Sequence, residues 1–100
     1  MRVLVVAKPR AMVPPELLPG LIERALQWYE RYQDRFEVFG TFPGGGGFAA
    51  LDVPDEEALH QMVLEMPFSP FSDVDVTPYV PGDVGFRTAQ QAFAAMSGAR

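Results

Sequence analysis

His60, the chain's one histidine, stands four residues after Glu56 in the segment DEEALHQMVLEM. A carboxylate and an imidazole at that spacing share one side of a helix, and such a pair can tune the ring as an acid or base near neutral pH. The plainer alternative is a solvated pair on a helix surface. A second candidate base is Asp75, which alternates with Val74 and Val76 in SDVDVTPYV and so faces away from them, in company with Thr77 and Tyr79. If the valines face the core, this polar trio points toward a subunit interface, where a partly desolvated carboxylate can serve as a general base. Tyr29 and Tyr32 fall within an apolar helical stripe. Their hydroxyls can donate a proton or a hydrogen bond to a bound carbonyl, or simply reach water from the core. Trp28, at the edge of that stripe, can line a cavity mouth or cap the core.

Other chemistries find little support. The chain has no cysteine, and one histidine with scattered carboxylates is a poor ligand set, so no metal site is expected. No Ser-His-Asp order, HExxH or DxDxDG pattern occurs. The run PGGGG (43–47) lacks the GxGxxG spacing and a lysine, and it leads into a strand-like segment rather than a helix. It reads as a hairpin turn whose glycines supply positive φ, with a bulge at Gly46 or Gly47. Net charge is -5 and the eight Lys and Arg are scattered, which argues against nucleic acid and an anionic membrane as partners. MRVLVVAKPR has too short an apolar core for a signal peptide, so a cytoplasmic location is expected.

These residues must be held by a small set of elements. One hundred residues, 48% hydrophobic and 21% charged, suit a single domain spanning 1–100. The β-branched run 2–8 predicts a strand. Leu18, Leu21, Ile22, Ala25, Tyr29 and Tyr32 predict a helix over 19–34. Segments 35–42 and 47–53 predict a hairpin. Asp55, Glu56 and Glu57 open a second helix carrying Leu59, Met62, Val63 and Met66, which Pro67 stops. Segment 73–80 predicts a fourth strand and 86–96 a terminal helix with Phe86, Ala89, Phe93 and Met96 on one side. The order β-α-β-β-α-β plus a tail helix is the ferredoxin-like split βαβ, an α+β fold with both helices on one sheet face. Both faces of the strands are apolar, so the far face needs cover. A second copy, giving a dimeric α+β barrel, is the simplest cover; the tail helix folding back is the alternative.

Three words in the second half, EVFG (37–40), LDVPDEEALH (51–60) and MPFSPFSDVDVTP (66–78), resemble the muconolactone isomerase family. The resemblance spans roughly residues 37–80. It implies a small ferredoxin-like subunit in dimeric barrels, and cofactor-independent movement of a double bond in an unsaturated lactone by proton removal and return. His60, Pro67, Phe68 and Asp75 stand at matching positions. Phe39, Thr41 and the glycines depart from the family's second and third strands. The reading is therefore an isomerase-like enzyme acting on a small unsaturated lactone or cyclic ketone. A cyclase, a cofactor-free oxygenase or a non-catalytic binding module on the same scaffold are its alternatives. The proton shuttle is His60 or Asp75, with Tyr29, Tyr32 or Ser69 supplying hydrogen bonds as the other catalytic candidates, and substrate contact falls to Trp28, Phe39, Thr41, Phe68, Ser69, Phe71 and Tyr79.

Overall fold

The computed structural model describes residues 1–98. Its elements are β1 (Arg2–Pro9), α1 (Leu18–Tyr32), β2 (Phe36–Thr41), β3 (Gly47–Asp52), α2 (Glu56–Glu65), β4 (Ser72–Pro78) and α3 (Gly82–Gly98). All strand pairs are antiparallel in the order β2-β3-β1-β4. This is the ferredoxin-like α+β arrangement that the element order predicts.

Local chemistry sets the boundaries. Asp55 is the N-cap of α2 rather than part of its first turn, and its Oδ1 accepts the Ala58 N–H at 2.8 Å. Met66, extended ahead of Pro67, ends that helix. In the hairpin Gly45 and Gly46 have φ of 101° and 79°. At Gly46 a Cβ would also lie 2.1 Å from the Ala7 carbonyl oxygen, so this position is closed to any side chain. The irregularity in pairing falls between Phe36 and Val38 in β2, not at the glycines, which corrects the expected bulge.

Helix α1 buries a narrower seam than its apolar spacing suggests. Leu21 is buried and Leu18, Ala25, Trp28 and Tyr32 are half-buried, a 3-4-3-4 spacing that follows one side of a straight helix. Ile22, expected in that stripe, lies beside the seam and is 58% exposed.

Beneath the helices the sheet presents three cross-strand rows. The first is Phe36, Leu51, Val3 and Pro78; the second Phe39, Ala49, Val5 and Val76; the third Thr41, Gly47, Ala7 and Val74. The first row is filled: Val3 and Leu51 join Val53, Leu59 and Met62 in the core, with Phe36, Tyr32 and Val63 against it. The outer face carries Leu4, Val6, Val38, Phe48 and Ala50 beside Asp73, Asp75 and Thr77. The tail helix does not fold back over it. Every residue from Phe86 to Gly98 is exposed, and the molecule extends 66 Å along its longest axis against 24 and 21 Å across.

Candidate functional site

Side-chain size falls along the sheet, and the space follows. Where the first row packs Leu51 against Val3, the third offers Gly47 and Ala7, and the helix above offers Ala25. A cavity of about 550 Å³ opens there between α1 and the sheet, within the size range of sites for small molecules. Its floor is Val5, Ala7 and Ala49, its roof Leu18, Ala25 and Trp28, and its mouth is framed by Met12, the hairpin glycines and Phe71. A small void of about 30 Å³ beside Met62 and Val63 lies toward the filled end.

Of the candidate residues, Trp28, Phe39, Thr41, Phe68 and Phe71 meet on this cavity. Trp28 is held in place because its indole N–H donates to the Met62 carbonyl at 3.0 Å. It also packs on Phe36 and Phe39 at ring separations of 5.5 and 6.4 Å. Thr41 and Ser72 bring hydroxyls to the wall, although the Ser72 hydroxyl donates to the Phe68 carbonyl at 2.9 Å. No ionisable side chain is among the described residues that line it.

The remaining candidates lie elsewhere. His60 is exposed on α2, with no hydrogen bond or ion pair to Glu56 among the described residues. Asp75 is exposed on the outer sheet face opposite Val6. Tyr79 is on that face too: its hydroxyl donates to Glu37 at 2.9 Å, and this hydrogen bond raises the phenol above its ordinary pKa. Tyr29 stacks on Phe36 with centroids 5.6 Å apart and adds to the aromatic cluster beside the cavity without lining it. Tyr32 donates to Glu65, which also takes Arg31 at 3.4 Å. That hydrogen bond raises Tyr32 and lowers Glu65 from their ordinary values. Ser69 donates to the Val63 carbonyl, closing the C-terminal end of α2. Among the described residues no group of three or more His, Asp or Glu side chains converges as a metal site would require, and no helix is long and apolar enough to cross a membrane.

The cavity wall contains residues that the chemistry-led reading passed over: Ala7, Ala25, Gly47 and Ala49. Their common property is small size at positions facing the helices or the sheet. That signal is present in the sequence, since the helix-facing positions of the third strand read Gly47, Ala49, Leu51.

Comparison with solved structures matches 81% of this chain to 90% of muconolactone isomerase, with a TM-score of 0.70 and 21% identity. The fold is that of muconolactone isomerase. A second match is 5-chloro-2-hydroxyhydroquinone dehydrochlorinase from Burkholderia phenoliruptrix AC1100, solved in complex with 2,5-dihydroxybenzoquinone. It aligns over 83% of this chain and 97% of its own, with a TM-score of 0.66 and 20% identity. No protein-family model and no curated protein matches the sequence. The muconolactone isomerase fold is thus the one that the words in residues 37–80 suggested, and the three rows above describe how this chain fills it.

Proposed function

We propose that this chain is an isomerase-like enzyme that holds a small, flat, largely apolar unsaturated lactone or cyclic ketone beneath α1 and shifts a double bond by proton removal and return. The observation that carries this reading is the cavity of about 550 Å³, apolar but for two hydroxyls, on the scaffold of an isomerase and of a dehydrochlorinase solved with an unsaturated ring dione. A carbonyl acidifies the neighbouring C–H, so the reaction needs a base and a hydrogen-bond donor rather than a redox cofactor. In this reading Thr41 donates to the carbonyl, and Trp28, Phe39 and Phe68, which line the same cavity, pack against the ring.

No candidate base is among the described residues that line the protomer's own cavity. Asp75, one candidate, lies across the sheet from that cavity, on the outer face that we assign to contact with a second copy because Leu4, Val6, Val38 and Phe48 would otherwise stay wet, so a role for it requires a ligand site at that contact. His60, exposed on α2, is the other. A second reading, a binding module without catalysis, draws on the absence of any ionisable group among the described lining residues.

Trp28 is the chain's one tryptophan and lines the cavity, so its fluorescence reports occupancy. A panel of unsaturated lactones, cyclohexenones and hydroxyquinones should quench or shift it, and those that bind should isomerise. Turnover lost in Asp75→Asn or His60→Ala with binding retained identifies the base. Equal turnover in both variants and the parent sinks the proton-shuttle proposal, and binding with no turnover by the parent selects the binding module.

A further inference from the structure

The floor of the cavity is flat for a reason that lies in the strand register. Val5 pairs with Ala49 and Ala7 with Gly47, so these four residues occupy two adjacent strands and two successive rows. Three of them carry a methyl group or nothing, which leaves a shallow plane of about 5 Å by 7 Å between backbone positions. Trp28, Phe39 and Phe68 bring planar side chains to the walls above it. Such a space favours a flat ligand, because a buckled ring system cannot keep dispersion contact on both sides. An apolar cavity of about 150 Å³ suffices for one benzene ring. The cavity here, about 550 Å³, is more than three times that, so a single ring would leave much of the wall without a partner.

The charged residues near this space are all turned from it or already bound. Lys8 follows Ala7 but alternates to the outer sheet face, opposite Asp73. Arg10 stands between the lining residues Pro9 and Ala11, yet its guanidinium donates to the Pro70 carbonyl at 2.8 Å. Arg24, next to Ala25, donates back along its own helix to the Gly20 carbonyl at 3.4 Å. Backbone donors able to hold an anion are committed as well. At the entry to α1 the Leu17 and Leu18 N–H groups donate to the Pro14 and Pro15 carbonyls, and Pro19 has no N–H. In the hairpin the Gly45 N–H donates to the Phe42 carbonyl at 2.9 Å. With the Ser72 hydroxyl spent on Phe68, Thr41 carries the one lining hydroxyl that has no partner among the described residues. A neutral carbonyl needs one donor and finds it; a carboxylate loses its hydration and meets no counter-charge.

We infer that the ligand is an uncharged, planar carbonyl compound of about two or three fused rings, its carbonyl at Thr41 and its rings on the floor of small residues, an inference that rests on the cavity being the ligand site. A ring acid of the same shape is rejected by its charge, and a single-ring lactone binds weakly because it fills too little of the space.

Isothermal titration of the full-length protein tests both parts. The probes are coumarin, coumarin-3-carboxylate, the methyl ester of that acid and the single-ring butenolide. Salt at about 0.5 M screens the chain's net charge of -5, so that only the cavity's own chemistry discriminates. The ester should bind at least about tenfold more tightly than the acid, and coumarin at least about tenfold more tightly than butenolide. An acid that matches its ester overturns the uncharged ligand, and butenolide matching coumarin overturns the fused-ring size. Ala25→Phe, which fills the space, separates these failures from failure of the site. If no probe binds the parent, or binding is unaltered in that variant, the cavity is not the ligand site and the inference falls with that reading.

Discussion

Two ends of one sheet differ in a single physical respect. At one end Leu51 and Val3 meet Val53, Leu59 and Met62 with almost no exposed surface; at the other Gly47 and Ala7 meet Ala25 and leave about 550 Å³ open. The same strands run through both ends in the same directions, and apart from the irregularity between Phe36 and Val38 their pairing is regular. The main change is in side-chain volume, so one end holds the fold and the other is free to hold something else. The ties between helices are divided likewise. Trp28 to Met62, Arg31 to Glu65 and Tyr32 to Glu65 all use the C-terminal half of α1, and none of the hydrogen bonds and ion pairs found joins its N-terminal half to α2.

The comparison breaks most visibly at the filled end. Met62, 2% exposed, has no room to be replaced, and Met62→Ala should cost about 3 kcal/mol through lost transfer energy and a new cavity. Urea unfolding followed by circular dichroism measures it. A loss under about 1 kcal/mol would mean that the filled end collapses on itself and is less rigid than its packing implies. Gly46, at the open end, is the exception that marks where backbone rather than side chains fixes the structure. Gly46→Ala should cost about 2 kcal/mol or more from the positive φ and the approach to Ala7. Gly44, which has neither constraint, should tolerate the same change within about 0.5 kcal/mol.

Filling the open end should sharpen the contrast. Ala25→Phe places a ring into existing space, so stability should move by less than about 1 kcal/mol while ligand quenching of Trp28 falls at least tenfold. Unimpaired binding would put the ligand outside this cavity.

What the sequence made legible was periodic. The β-branched run in 2–8, the alternation in 73–80 and the helical stripes led to the observed element order, and the glycines to a hairpin with positive φ at Gly45 and Gly46. The cavity was half legible. Trp28, Phe39, Phe68 and Phe71 stand out as large aromatics, but a cavity is made by what is missing, and Ala7, Ala25 and Ala49 look like ordinary core residues until the rows are aligned. Register supplies that alignment, and register depends on pairings between residues some forty positions apart, such as Val5 with Ala49. His60 shows the converse. One position beyond Leu59, it looks as close to the core as to solvent, and only the narrowness of the buried seam on α2 puts it outside.

The smallest expected effect tests the ties at the filled end. Tyr32 donates to Glu65, and that bond is the main reason the carboxyl sits below its ordinary range and the phenol above its own. For Glu65, depressed in the fold, the stabilising contribution is complete above the ordinary carboxylate pKa and fades as pH falls through it toward the folded value. For Tyr32, raised in the fold, the contribution is complete below the ordinary phenol pKa and fades as pH rises through it toward the higher folded value. Tyr32→Phe removes the bond and keeps the ring, so the difference in melting temperature between parent and variant should be widest near neutral pH and shrink toward both extremes. Both groups lie near solvent, so the difference is expected to be small and to narrow further in high salt. Parallel curves, with a gap independent of pH, would show that Tyr32 serves the filled end through its ring alone, and that packing without a polar tie suffices to keep α1 on α2.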